Sequence, residues 1–349
     1  MRLAVFSTKP YDKKYIALQN NARAGSSSGI DIAYHDFPLS TDTAALAEGA
    51  DAVCVFVNDG LGSEVIKVLA RIGISAILLR CAGFNNVDLE AAKESGIMVA
   101  NVPSYSPESV AEFTVALIQT LNRNTHRAYN RLREGNFALD GLLGFTLHGK
   151  TVGIVGTGKI GIATAKILNG FRCRILAYDK YESPALAGLG EYMALDEMLP
   201  ECDIISLHCP LTEETRHLID ESTIARMKRG VMIVNTARGG LLDTAAAIKA
   251  LKAKQIGSLA LDVYEDESAL FYNDHSGDVI HDDLLMRLMT FPNVIVCGHQ
   301  AFFTDEALSE IASVTLQNLE EFIATGTCKN SLTEALSSTS RPAAPARGI

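Results

Sequence analysis

The sequence predicts an α/β protein whose larger part is a doubly wound parallel sheet. Three observations predict it: short, almost uninterrupted apolar runs recur along the chain, helix-like stretches separate them, and one run ends in glycines at 156, 158 and 161. Parallel strands buried on both faces read as continuous apolar runs, and each needs a long crossover, usually a helix, to reach the next.

LAVFS (3–7), AVCVFV (52–57), AILLR (76–80) and IMVANV (97–102), with stretches such as SEVIKVLARIG between them, form a first small α/β unit. Ser106 before Pro107 reads as a helix N-cap followed by proline at the first helical position. Val110, Phe113, Leu117 and Leu121 then recur at helical spacing, so a long helix follows. Its charged second half, Arg123 to Arg133, reads as a solvated face, with a subunit contact as the lesser reading. From Thr151 a second series runs TVGIVG, RILAYD, DIISLHC, VMIVNTA, SLALDVY and NVIVCG. Six strands with crossovers make a doubly wound sheet, whose ligands bind beyond the carboxyl ends of the strands. The helical stretch near 308–325 is expected to return to the first unit. That makes the first domain discontinuous, 1–103 with 300–334, around a second domain at 104–299. The aperiodic Ser/Pro/Ala-rich stretch 335–349 is expected to be a disordered tail.

A chain of 349 residues exceeds the size at which one core stops growing, which agrees with two domains. The net charge of −10 gives no general attraction for nucleic acid or anionic lipid. No apolar run reaches the roughly 18 to 20 residues that span a bilayer, and the chain reads as cytoplasmic. The seven cysteines, at 54, 81, 173, 202, 209, 297 and 328, contain no CxxC pair, so neither a metal site nor a disulfide framework is expected. Cys209 as a reactive thiol is the minority reading.

The GxGxxG spacing alone is a weak signal, but here it follows a strand, opens the helix-like IGIATAKILNGF and precedes a second strand ending in Asp179. Gly156 permits the tight turn, Gly158 lets the backbone approach a pyrophosphate, and Gly161 packs helix on sheet, with Lys159 and Ile160 in the same loop. Asp179, 23 residues past Gly156, can accept hydrogen bonds from both ribose hydroxyls of adenosine and repel a 2′-phosphate. NAD rather than NADP is the expected cofactor.

MIVNTARGGLLD (232–243) carries an apolar strand straight into Arg238. An arginine there is costly unless an anion meets it, and either a ligand or an internal carboxylate could serve. Later strand ends carry Glu265, Asp266 and Glu267 after LALDVY, and His299 after VIVCG. The order of these residues, with VFSTKPYDKKY, VFVNDG, LRCAGFNNVDL, GFTLHGKTVGIVGTGKIG, SLHCPLT, MKRGVMIVNTARGGLLD, LDVYEDE and GHQAFFT, resembles the D-specific 2-hydroxyacid dehydrogenases, their D-lactate branch in particular. The resemblance runs to about residue 330; the 19 or so residues beyond it touch no motif.

The resemblance implies a Rossmann-type cofactor domain plus a discontinuous flavodoxin-like α/β substrate domain, and reversible reduction of pyruvate to D-lactate by NADH. It makes Arg238 the partner of the substrate carboxylate, a role suited to a planar guanidinium. It makes His299 the acid/base and Glu267 its orienting partner, because the family's glutamate stands five residues after the aspartate of the LDVY-type strand end, here Asp262. The residues alone do not choose among Glu265, Asp266 and Glu267. Cys209, Pro210 and Thr215 would border the cofactor, with Thr236, Ala237 and Asp262 by the nicotinamide ribose and carboxamide. Ala82 and Gly83 would offer backbone N–H groups to the substrate carboxylate, Tyr105 a hydroxyl, and Phe56, Val57 and Phe302 the walls of the side-chain pocket, with plain core as the lesser reading of both phenylalanines. His208 reads as a packing histidine. A homodimer or homotetramer is expected. The alternatives are a dehydrogenase for a larger keto acid such as phenylpyruvate and, more remotely, an NAD-sensing corepressor without catalysis.

Overall fold

Two separate parallel sheets organise the chain. The computed structural model describes residues 1–24, 29–267 and 270–333. They fall into two units, Met1–Ser106 with the chain from Phe303 onward, and Pro107–Phe302. The tail expected at 335–349 lies outside the described residues.

The first unit holds β1 (Arg2–Val5), β2 (Asp31–Tyr34), β3 (Ala52–Val55), β4 (Ala76–Leu79) and β5 (Met98–Ala100), in the order β2-β1-β3-β4-β5. Every pair is parallel, and this is the flavodoxin-like order. β3 and β4 are buried at every position, as their unbroken apolar runs require. β2 carries no such run because DIAY is a half-buried edge strand with an exposed first residue. The helix Asp305–Thr325 packs on the helix Pro10–Ala24. It starts before the apolar periodicity at Leu308, because the Thr304 hydroxyl caps it by accepting the Ala307 N–H. Ser331 then bridges Ala100, and Leu332 N–H donates to the Val99 carbonyl at 2.7 Å, so the chain after this helix closes the free edge of β5.

The second unit holds β6 (Thr151–Val155), β7 (Arg174–Tyr178), β8 (Glu191–Tyr192), β9 (Ile204–Leu207), β10 (Val231–Asn235), β11 (Ile256–Leu261) and β12 (Val294–Val296). Their order, β12-β11-β10-β9-β6-β7-β8, reverses direction between β6 and β9, the switch point of a Rossmann-type sheet. Side chains alternate between two cores. Val155, Leu176, Ile205, Leu207, Ile233 and Leu259 enter one, and Val152, Ile154, Ile175, Ile204, Met232 and Val234 the other. The long helix expected after Ser106 is two helices, Pro107–Arg123 and Thr125–Arg133, because Asn124 adopts a left-handed backbone with φ of 50° that asparagine tolerates. Among the described residues, no helix is long and apolar enough to cross a membrane.

Candidate active site

The glycine-rich turn is built by exclusion of side chains. Gly156 has φ of 99°, and a Cβ there would fall 2.5 Å from the Cys209 nitrogen and 2.6 Å from the His208 carbonyl carbon. A Cβ on Gly161 would collide with the Gly156 carbonyl oxygen and meet Ile154 of β6 at 3.3 Å, so the third glycine seats the helix on both turn and sheet. Gly158 precedes the helix Lys159–Gly170, and nothing lies within 4 Å of where its Cβ would be. Open space before a helix N-terminus that lacks a side-chain cap suits the diphosphate of a dinucleotide. Lys159 is exposed and Ile160 half-buried there.

At the end of β7, Asp179 Oδ2 accepts the Thr157 N–H at 2.5 Å and its hydroxyl at 3.0 Å, and Oδ1 accepts the Tyr181 N–H at 3.0 Å. Burial works to raise this carboxyl, but these hydrogen bonds outweigh it and hold the group below the usual aspartate range. The remaining lone pairs of a fixed carboxylate fit the two ribose hydroxyls of NAD. Sequence reasoning passed over the support behind it: Tyr192 donates to the Thr157 hydroxyl at 2.8 Å and accepts from Ser183 N–H at 2.6 Å. Beside the turn, Thr215 donates to the Pro210 carbonyl at 2.7 Å. Burial pushes the Cys209 thiol up to about 11, the direction opposite to that of an activated thiol. His208 lies 2.8 Å from the Ser206 hydroxyl, and burial lowers it to about 4.

The other strand ends of this unit bring the chemical groups. Asn235, fully buried, accepts the Ala237 N–H at 3.0 Å and donates to the Arg238 carbonyl at 2.8 Å, pinning the turn that presents Arg238. Thr236 shares a 2.8 Å hydrogen bond with Thr114. Arg238 is half-buried and donates to the Ala237 carbonyl at 2.6 Å; among the described residues no carboxylate pairs with it.

His299 Nδ1 lies 2.9 Å from Glu267 Oε1, and Glu267 Oε2 accepts the Tyr264 N–H at 3.1 Å. Glu265 is elsewhere, 2.6 Å from His217 and accepting the Thr244 N–H that opens the helix Thr244–Lys252, while Asp266 is exposed. Geometry thus separates three adjacent acids that composition could not. The ring of His299 lies 5.9 Å from that of Tyr272. Asp262 is fully buried, and its carboxylate accepts the Gln300 and Ala301 N–H groups at 2.8 and 3.0 Å, so it anchors the segment carrying His299. Burial pushes its carboxyl up.

In the first unit, Asn101 donates to the Ala82 carbonyl at 2.7 Å and the Cys81 thiol to the Gly83 carbonyl at 3.2 Å, which fixes the peptide planes at 81–83. Phe56 is 8% exposed, Val57 and Tyr105 are half-buried, and Phe302, in the second unit, is 8% exposed.

The profile "D-isomer specific 2-hydroxyacid dehydrogenase, NAD binding domain" matches residues 115–301. The chain is 61% identical to 2-hydroxyacid dehydrogenase A of Aspergillus oryzae, covering 95% of each chain. It is 60% identical to a D-lactate dehydrogenase of Curvularia clavata, covering 98% of each. It is also similar to the apo-structure of D-lactate dehydrogenase from Escherichia coli, with a TM-score of 0.87 and 50% identity over 95% of this chain and 100% of that one.

Proposed function

The chain belongs to the D-isomer specific 2-hydroxyacid dehydrogenases, NAD-dependent oxidoreductases, and on that premise we propose that it reduces pyruvate reversibly to D-lactate. The observation that carries the mechanism is the His299–Glu267 pair at 2.9 Å. The lactate assignment is supported by the 60% identity with the Curvularia clavata enzyme over nearly the whole of both chains.

NADH supplies the hydride to C2 of the keto acid when bound. The protein's part is to hold the substrate and move one proton. Arg238 binds the carboxylate with its two-point donor geometry and polarises the neighbouring keto oxygen. Because Nδ1 of His299 faces Glu267, Nε2 is the nitrogen left to give its proton to that oxygen, and in lactate oxidation to take it back. Glu267 fixes the orientation of the ring. Gly156, Gly158, Lys159, Ile160 and Gly161 would receive the diphosphate, Asp179 the adenosine ribose, and Cys209, Pro210, Thr215, Thr236, Ala237 and Asp262 the rest of the cofactor. Ala82, Gly83, Tyr105, Phe56 and Val57 in the first unit, and Phe302 in the second, are each assigned to the substrate.

The protein acts in the cytoplasm as a homodimer or homotetramer. The oligomer is supported by the chain after Asn124: the helix Thr125–Arg133 buries none of its residues, and Phe137, Leu139 and Leu143 are 73%, 81% and 93% exposed. Large apolar residues clustered this way mark an interaction surface.

The test is NADH oxidation by the purified protein with pyruvate, phenylpyruvate, hydroxypyruvate and oxaloacetate, followed by chiral analysis of the product. Pyruvate preferred with D-lactate formed is the expected result. Preference for phenylpyruvate, or L-lactate as product, would overturn the substrate or stereochemical assignment.

A further inference from the structure

We propose that Asp59 sets the size of keto acid accepted by holding Phe56 in one position, with Asn86 and Arg80 as its helpers. The inference rests on the reading that Phe56 bounds the substrate side chain.

Asp59 is fully buried in the first unit; among the described residues no cation pairs with it directly, although the Arg80 charge acts on it. Its Oδ2 accepts the Phe56 N–H at 2.7 Å; its Oδ1 accepts the Leu39 N–H at 2.8 Å and the Ser7 hydroxyl at 2.7 Å. A buried carboxylate with no cation in contact is costly unless it is hydrogen-bonded, so three short donors converging on it mark a fixed structure. On the other side of the same turn, Asn86 donates to the Phe56 carbonyl at 3.0 Å and to the Asp59 carbonyl at 2.8 Å. Both peptide groups of Phe56 are thereby held by side chains from outside the strand.

The ring is held as well. The Arg80 guanidinium, 2% exposed, stacks 5.0 Å from the centre of the Phe56 ring. Arg80 is itself fixed by Asp12 at 3.1 Å and by donating to the Ser7 carbonyl at 2.7 Å. Ser7 closes the circuit. It adopts φ of 50°, a left-handed backbone unusual for serine, and its hydroxyl, carbonyl and N–H are all engaged, the last with the Phe37 carbonyl at 2.9 Å. Strain of this kind persists only where surrounding contacts over-determine it, and here the hydroxyl bond to Asp59 and the carbonyl bond to Arg80 both lead back to Phe56. A single fixed ring is what size discrimination needs; an aromatic wall free to swing would admit larger groups. Asp59, Asn86 and Arg80 are positioning residues that act through Phe56.

The test compares kcat/KM for phenylpyruvate and pyruvate in Asp59→Asn, Asn86→Ala and Phe56→Ala. An amide at 59 offers one acceptor and one NH2, so a donor must face the backbone N–H of Phe56 or that of Leu39. The phenylpyruvate-to-pyruvate ratio should rise about tenfold in Asp59→Asn and in Asn86→Ala, in the range one pocket contact commands, with KM for NADH unchanged. A purely structural role would lower Tm and scale both substrates by the same factor. An unchanged ratio in folded Asp59→Asn overturns the proposal, and Asn86→Ala, on a half-exposed loop, decides it in the same way should Asp59→Asn not fold. A shift in Phe56→Ala without one in the other two overturns the proposal alone; no shift in Phe56→Ala overturns the reading of Phe56 as well.

Discussion

Arg238 shows how far a single residue could be understood in advance. Its position after an apolar strand demanded an anion, and the structure gives it no carboxylate among the described residues, so Arg238→Lys tests the ligand directly. Lysine keeps the charge but loses the planar fork. We expect kcat/KM for pyruvate to fall about a hundredfold while NADH affinity, followed by fluorescence titration, stays the same. An equal loss of NADH affinity would remove Arg238 from the substrate. The acids at 265–267 were illegible because all three stand at the end of one strand, and only the turn geometry sends Glu267 to His299 and Glu265 to His217. Glu267→Gln keeps the side chain's size but removes the charge, and should cut the rate of pyruvate reduction about tenfold to a hundredfold with NADH affinity intact; an unaltered rate would leave the pair without a catalytic part. His208 makes a prediction about stability. Burial lowers it from 6.5 to about 4, so between those values the unfolded chain binds a proton that the folded one refuses. Stability present above pH 6.5 is therefore lost as the pH falls toward 4. His208→Gln should lose less Tm over that interval than the parent chain, and parallel curves would show that this ring does not carry the acid sensitivity.

At the scale of elements, the turn after β6 is the most demanding piece of backbone. Gly161→Ala would drive a methyl into the Gly156 carbonyl oxygen, and the helix start would have to move. NADH binding should weaken at least about tenfold, and Tm should fall as well because the methyl also meets Ile154 of the core; binding at parental strength would mean that the helix end plays no part in holding the cofactor. Asp179→Ala should weaken NAD and narrow its advantage over NADP, and an unaltered NAD/NADP ratio would contradict the ribose assignment. The strands leading to these residues were legible because both faces are buried and the apolar run is unbroken. β2 and β8 were not. An edge strand such as Asp31–Tyr34 is half exposed, and Glu191–Tyr192 is too short to show a period. The break at Asn124 escaped because helical spacing continues through it while the backbone does not. The ties made by Thr157 and Asp59 escaped for a different reason. Hydrogen bonds such as Ser7 to Asp59 join residues 52 apart, and no local pattern records them.

For the whole molecule, the testable matter is association. Replacing Leu139 and Leu143 together by aspartate should lower the mass measured by light scattering to that of a single chain, with the secondary structure unchanged by circular dichroism. A retained oligomer would place the subunit contact on another surface. Two other boundaries are already closed. In the first sheet, the chain at Ser331 and Leu332 lies along β5 and takes up its outward hydrogen bonds. In the second, the sheet narrows to the two residues of β8, where Glu191 is paired with Arg174 at 2.7 Å and Arg174 also reaches Glu201. A foreign strand approaching either margin finds a rung already taken or a short, charged stub. Such margins resist templated fibre growth, so cross-β stacking of a chain loosened by heat would have to begin at the opposite edges, β2 or β12.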